Sequence, residues 1–150
     1  MDKSVKNILI FIAMLHFMSF DRPVQEKRYA LTIKVQELRN SKGVVQFTLY
    51  NKEGSIPDER FRAYCKQGTA PITNSTSSIT FSNLPEGRYA VNILHDENEN
   101  GKIDKGFILP IEGVGFSNYE SIGLSNRPKF SQASFELDSE MTKSVTIIYK

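Results

Sequence analysis

The sequence predicts an all-β protein: one antiparallel β-sandwich of about seven strands carrying a single long ordered loop. Three observations predict it. From about residue 29 onward, apolar and polar residues alternate with a period of two over short runs, turn clusters separate those runs, and no stretch carries a convincing apolar stripe at the 3.6-residue helical spacing. Strands with one apolar face each are the material of an antiparallel sandwich, because each sheet buries one face against the other and leaves its second face polar.

The first twenty residues differ in kind. Lys3 and Lys6 precede a nearly unbroken apolar run from Ile8 to Phe20, and a short positive segment followed by about 7–15 apolar residues is the layout of a secretory signal. The run falls short of the ~20 residues that span a bilayer, and His16 interrupts it. Met18, Ser19 and Phe20 do not form a small-x-small cleavage triplet, so a cleaved signal and an uncleaved anchor are both open. The expected organisation is a signal or anchor over 1–21, a polar linker over 22–28 and the sandwich over 29–150. It places the protein in the periplasm or outside the cell, touching the membrane only through its N-terminal signal.

The strands follow in order. Leu31, Ile33 and Val35 alternate with Thr32, Lys34 and Gln36, and RNSKG then marks a turn. Val45, Phe47 and Leu49 form the second run, and Phe61, Ala63 and Cys65 the third. Ile79 and Phe81 lead to the turn NLPEG, after which Tyr89, Val91 and Ile93 alternate again. Ala133, Phe135 and Leu137 make the sixth run; Val145, Ile147 and Tyr149 make the seventh. Phe47, Phe81, Val91, Phe135 and Ile147, each mid-run on an apolar face, are the expected centre of the core.

Composition narrows the function. A hydrophobic content of 39% against 24% charged residues is ordinary for a chain that buries a core, so disorder is excluded as its class. The net charge of +2 is too small, and its basic residues too scattered, for a nucleic-acid partner. Cys65 is the only cysteine, so no internal disulfide forms and an exported domain of about 125 residues must rest on its hydrophobic core. On the apolar face of its run, Cys65 is expected to be a buried, inert thiol.

One connection is out of proportion. Between Leu94 and Gln132 lie more than thirty residues rich in Gly, Asn, Ser and Pro, punctuated by Phe107, Ile108, Leu109, Ile111, Val114, Phe116 and Tyr119. Loops of that length inside a domain are functional or disordered, and the apolar punctuation predicts an ordered loop packed onto the sandwich. Any site is expected there.

Within it, HDENENGKID has the oxygen spacing of a twelve-residue calcium loop. Asp96, Asn98 and Asn100 offer side-chain oxygens at positions one, three and five, Gly101 takes the sharp turn at six, Lys102 offers its carbonyl at seven, and Asp104 stands at nine. Glu97 and Glu99 are expected to point outward. Phe107 replaces the closing glutamate, and Glu112 is the candidate that folds back in its place. So few carboxylates imply low affinity for calcium, about 10⁻⁴–10⁻³ M. The other reading is a chain of Asx-turns, in which the Asp and Asn side chains bond their own backbone. Either one holds the loop's shape. A second stretch, EGVGFSN, brings Gly113 and Gly115, which leave room for close approach, together with Phe116, Ser117 and Asn118. It reads as a ligand-binding lip or as a tight turn plugged by Phe116, with His95 beside it as an anchor or ligand contact.

The run LPEGRYAVNILHDENENGKIDKGFILPIEGVGFSN resembles the signature of a family of small exported bacterial proteins known as domain-of-unknown-function 2141. That resemblance covers the chain from about Tyr29 to Tyr149 and is specific in the two motifs. It maps onto His95, Asp96, Asn98, Asn100, Gly101, Asp104, Glu112, Gly113, Gly115, Phe116, Ser117 and Asn118. Departures fall at Glu99 and along YESIGLSNRPKF. It implies export and a β-sandwich, and no activity. NLPEGRYAV is also similar to the turn leading into a strand of prealbumin-like and carboxypeptidase-regulatory-like sandwiches, a likeness that supports the fold, and the expected sandwich is prealbumin- or immunoglobulin-like.

Signatures of catalysis are absent: there is no GxSxG, HExxH, CxxC or phosphate-cradling glycine loop. The leading reading is a non-catalytic exported module that binds an unidentified cell-envelope ligand or protein, with calcium as its one candidate cofactor. The alternative is a small cell-envelope hydrolase using Glu112 and Asp104 as a carboxylate pair.

Overall fold

The computed structural model describes residues 25–106, 110–123 and 125–149. The expected signal, 1–21, and residues 22–24 of the expected linker lie outside the described residues. Among the described residues no helix is long and apolar enough to cross a membrane.

Among the described residues eight strands run β1 (Arg28–Val35), β2 (Val44–Tyr50), β3 (Lys66–Ala70), β4 (Ser77–Pro85), β5 (Gly87–Asp96), β6 (Gly113–Phe116), β7 (Phe135–Leu137) and β8 (Met141–Ser144), with a helical turn, α1 (Phe130–Ala133), before β7. A three-stranded sheet has the order β4-β1-β8, and a five-stranded sheet has the order β3-β2-β5-β6 with β7 also paired to β5. The protein is an all-β sandwich, antiparallel at every strand pair but one. β8 lies parallel to β1, with Leu31 opposite Met141 and Lys34 opposite Ser144.

Alternation explains the core between the sheets. Leu31, Ile33 and Val35 of β1 and Phe81 of β4 meet Val45, Phe47 and Leu49 of β2 and Val91 and Ile93 of β5. Phe47, Phe81 and Val91 are buried as expected, whereas Phe135 and Ile147 are only half-buried against the edge of this cluster. β7 and the last residues sit at the sandwich margin, where one side of each apolar residue faces solvent.

β2 and β5 are covered on both faces. After its first residue β2 is buried throughout, and β5 is buried from Tyr89 to Asp96. The second cover is the long loop. Tyr50 and Ala90 of the sheet, Ile56, Phe116, Tyr119, Phe130 and Ala133 form a separate apolar cluster on the far side from the main core. Val114, Phe116 and Tyr119 are buried as the apolar punctuation predicts, whereas Ile111 is exposed, and Phe107, Ile108 and Leu109 lie outside the described residues.

Two expected strands move. The run Phe61–Cys65 is not a strand: β3 starts at Lys66, and Ala63 and Cys65 are exposed. Asp58 explains this, since its carboxylate accepts the Arg62 and Ala63 N–H groups at 2.7 Å each and bends the chain into a side-chain-capped turn. The last strand lies at Met141–Ser144, and the residues after it, 145–149, touch β6 through one bridge between Val114 and Ile148. We call residues 145–149 the closing segment.

Candidate functional site at the β5–β6 loop

His95 and Asp96 end β5, and Glu112 and Gly113 begin the return. His95 stands opposite Gly113 in register. Successive residues of a strand face opposite ways, so His95 and Gly113 look to one side of this strand pair, and Asp96 and Glu112 serve the loop.

Hydrogen bonds close the loop. Asp96, 2% exposed, accepts the Asn100 N–H on Oδ1 at 3.0 Å and the Gly101 N–H on Oδ2 at 2.7 Å. Asn98 Oδ1 accepts the Asn100 N–H at 3.1 Å and Asn100 Oδ1 accepts the Lys102 N–H at 2.8 Å, two successive Asx-turns. The Nδ2 groups of Asn98 and Asn100 donate to the Asp104 carboxylate at 2.7 and 3.1 Å. Glu112 does fold back: it accepts the Glu97 N–H at 3.0 Å and the Asp104 N–H at 3.3 Å. Burial pushes its pKa above the usual carboxylate range. Its two backbone hydrogen bonds oppose that, and the Asp104 and Asp96 charges add to it. Among the described residues no group of three or more His, Cys, Asp or Glu is gathered tightly enough to hold a metal; the loop closes on its own polar groups.

Glu99 (φ 58°) and Gly101 (φ 69°) both adopt the left-handed backbone that a chain turning this sharply requires. Glu99 is exposed, as expected. Glu97 is not a bystander. It is half-buried and holds Arg39 at 2.5 Å; burial pushes its pKa up, but the Arg39 bond overcomes that and leaves it below the usual range.

On the other side of the strand pair, His95 is fully buried, with Nδ1 2.7 Å from the Tyr149 hydroxyl and Nε2 3.0 Å from the Lys42 carbonyl. A carbonyl only accepts, so Nε2 carries the proton toward Lys42. The Tyr149 hydroxyl accepts the Arg39 backbone N–H at 3.2 Å and gives its own proton to Nδ1. The Arg39 guanidinium lies 4.7 Å from the Tyr149 ring centre. The glycines make room for this packing. A Cβ on Gly113 would stand 2.4 Å from a Tyr149 ring carbon, and one on Gly115 would stand 2.2 Å from the Thr146 carbonyl oxygen. The chain's own closing segment takes the space that the glycines leave open.

Ser117 and Asn118 act at a junction. β5 pairs with β6 over Asn92–His95 and with β7 over Gly87–Tyr89. Val91 falls between the two. Ser117 fills the gap: its N–H donates to the Val91 carbonyl at 3.0 Å, and its hydroxyl accepts the Val91 N–H at 2.9 Å and donates to the Ala133 carbonyl at 2.6 Å. Asn118 (φ 63°) directs Nδ2 at the carbonyls of Gln132, Ala133 and Ser134 and accepts Lys143 Nζ on Oδ1 at 2.7 Å. Phe116 packs edge-to-face on Tyr119 beneath the loop.

Residues 33–145 match a family described as "Uncharacterized protein conserved in bacteria (DUF2141)". The chain belongs to the DUF2141 family. No curated protein matches it. A solved structure of a pilus-presented adhesin, Spy0125 (Cpa), is similar at a TM-score of 0.28 and 12% identity, over 85% of this chain and 29% of that one. A likeness at that level decides nothing about this chain.

In this DUF2141 protein, Cys65 departs from expectation. The residue is exposed, though its thiol tucks 3.2 Å from the Leu49 carbonyl, and that cover raises its pKa. It does not meet His95: Leu49 and Val45, their respective neighbours on β2, are four residues apart, about 13 Å along a strand. The turn RNSKG, legible only as punctuation, supplies three partners of the site: Arg39, the Lys42 carbonyl and Gly43. Gly43 (φ 65°) lies so close that a Cβ there would stand 1.9 Å from the Asp96 carbonyl oxygen. Its position before a strand was the one local sign of close backbone approach. Tyr149 left none, because its contact with His95 spans 54 positions.

Proposed function

We propose that this protein is an exported, non-catalytic β-sandwich module that works in the periplasm or outside the cell by binding an envelope ligand or protein, and whose HDENENG loop takes calcium weakly as a fastener. The observation that carries the reading is that Asp96 and Glu112 are both folded onto one loop by backbone hydrogen bonds, Asp96 accepting the Asn100 and Gly101 N–H groups and Glu112 those of Glu97 and Asp104, so that a small rearrangement of carboxylates not yet gathered around one point would complete a calcium site. The donor set suits the ion. Asp96, Asn98, Asn100, Asp104 and Glu112 bring oxygen-bearing side chains and Lys102 a carbonyl, and calcium takes about 6–8 oxygens. An oxygen that accepts one backbone N–H keeps a second lone pair, so the Asx-turns and a bound ion are compatible. Asp104 would have to give up the amide hydrogens of Asn98 and Asn100, which limits affinity to about 10⁻⁴–10⁻³ M. Such a site fills only where calcium is abundant, as outside the cell, in keeping with Lys3, Lys6 and the apolar run to Phe20.

Glu112 supports the non-catalytic side. It is 5% exposed and spends both oxygens on backbone N–H groups, whereas the alternative hydrolase needs it free in a cleft. The test is a thermal melt against calcium. At a hundred times the dissociation constant, binding to the folded state adds about 2.7 kcal/mol. Asp96→Ala and Asp104→Ala should remove that gain, Glu99→Ala should keep it, and magnesium should substitute poorly. A wild-type melt unmoved by millimolar calcium ends the metal reading. Recovery of the full chain, N-terminus intact, from the cytoplasm ends the export reading.

A further inference from the structure

Along β6 the glycines turn toward the closing segment, so Val114 and Phe116 face the other way, under the long loop. There the described residues of the loop leave a cavity of about 150 Å³, open to solvent on one side. Val114 and Phe116 line it from the sheet, and Ile103, Pro110, Ile122 and Pro128 line it from the loop. The walls are mostly apolar, and they are stiff. Proline rings cannot swing away as flexible side chains do. Phe116 packs on Tyr119, whose hydroxyl accepts the Lys129 N–H at 3.0 Å and donates to Gln132 Oε1 at 2.6 Å.

Size and polarity select the occupant. An apolar cavity of this volume holds one ring the size of benzene. It is smaller than the about 300 Å³ at which sites for larger ligands begin. A sugar would bury hydroxyls against walls that offer them few partners, which is costly. Charge then decides what the ring carries. Lys105, Glu59 and Arg127 also border the cavity, and all three are exposed. Lys105 pairs with Glu59, whereas Arg127 has no ion-pair partner among the described residues. Lys105 and Arg127 against Glu59 leave the rim net positive. A planar guanidinium suits a carboxylate, which it holds through two parallel N–H donors.

We propose that this cavity binds a small aromatic monocarboxylate, its ring against Val114 and Phe116 and its carboxylate on Arg127. The site gives the binding role proposed above a class of ligand; it rests on that role and depends on neither calcium nor export.

Amide chemical shifts of the full chain test it, with benzoate as the probe, titrated once with chelator and once with calcium. Benzyl alcohol supplies the ring without the charge, and acetate the charge without the ring. Benzoate should produce saturable shifts centred on Val114, Phe116, Ile122 and Gly123 in both conditions, and acetate should not. Arg127 is exposed, so Arg127→Gln leaves the fold intact. It should weaken benzoate about tenfold, the lower end for a hydrogen bond to a charged group, and leave benzyl alcohol unchanged. Absence of saturable shifts at these amides overturns the proposal, as does acetate matching benzoate or Arg127→Gln binding benzoate as tightly as the wild type. Binding that appears only after Phe107→Ala would assign the cavity to the chain's own apolar residues and overturn it too. The calcium melt is read separately, so a failed titration leaves the metal reading standing.

Discussion

Ser117→Ala isolates what the FSN motif does. The change removes one oxygen from a site with no exposure and adds nothing, so neither clash nor charge confuses the result. Two hydrogen bonds disappear, from the Val91 N–H and to the Ala133 carbonyl. The carbonyl keeps a donor in Asn118 Nδ2 at 3.2 Å, but the Val91 N–H, facing the gap between β6 and β7, is left without a partner. A neutral hydrogen bond contributes about 1 kcal/mol net, and an unsatisfied buried donor costs about 1–3 kcal/mol. The loss should be about 2–4 kcal/mol, a fall of roughly 8–16 °C in Tm at about 4 °C per kcal/mol for a domain of this size. Urea titration measures the free energy, and amide exchange at Val91 should speed up more than at Leu94, which stays paired with β6. A ligand-binding role for Ser117 would leave the apo-protein's stability nearly unchanged. A loss below about 0.5 kcal/mol with Val91 protection intact therefore refutes the junction role.

Other tests follow from single contacts. Gly43→Ala meets a left-handed φ and a Cβ position 1.9 Å from the Asp96 carbonyl oxygen; it should destabilise by more than about 3 kcal/mol and strip the loop of protection, and a mild loss by urea titration would show that the turn is not held against Asp96. Asn74 (φ 50°) and Ser75 (φ 57°) join Thr73 to Thr76 in a two-residue turn with both central residues left-handed. Ser75→Gly makes the favoured Asn-Gly pair and should raise Tm, gaining up to about 1 kcal/mol; a lower Tm contradicts this turn. Glu112 has a raised folded pKa, so its contribution to stability is full below the ordinary glutamate value of about 4.3 and is lost as pH rises through the folded value. With chelator present, Glu112→Gln should gain on the wild type as pH climbs from that value, and a constant difference between the two proteins would rule out the shift.

Much of the architecture was legible because burial in a sandwich repeats every two residues. Leu31, Ile33 and Val35, or Val45, Phe47 and Leu49, announce a strand and its inward face without reference to the rest of the chain. The loop motif was legible for a similar reason, since Asx-turns and a left-handed glycine act over two to five residues, and Asp96 through Lys102 bond as that spacing requires. Only the tertiary structure decided which polar residues are solvated. Gln46, Thr48 and Asn92 alternate as though facing water, yet they are buried, because a loop begun about fifty residues after β2 returns over them. It also decided the end of the chain. Alternation at Val145, Ile147 and Tyr149 reads as a strand, but a strand needs a partner along its length, and among the described residues this one finds backbone partners at Lys34 and Val114 alone. The glycines of EGVGFSN mark a close approach that the sequence registers as missing side chains. That the visitor is Tyr149, brought to His95 across 54 positions, depends on how two sheets pack, and no local pattern encodes it.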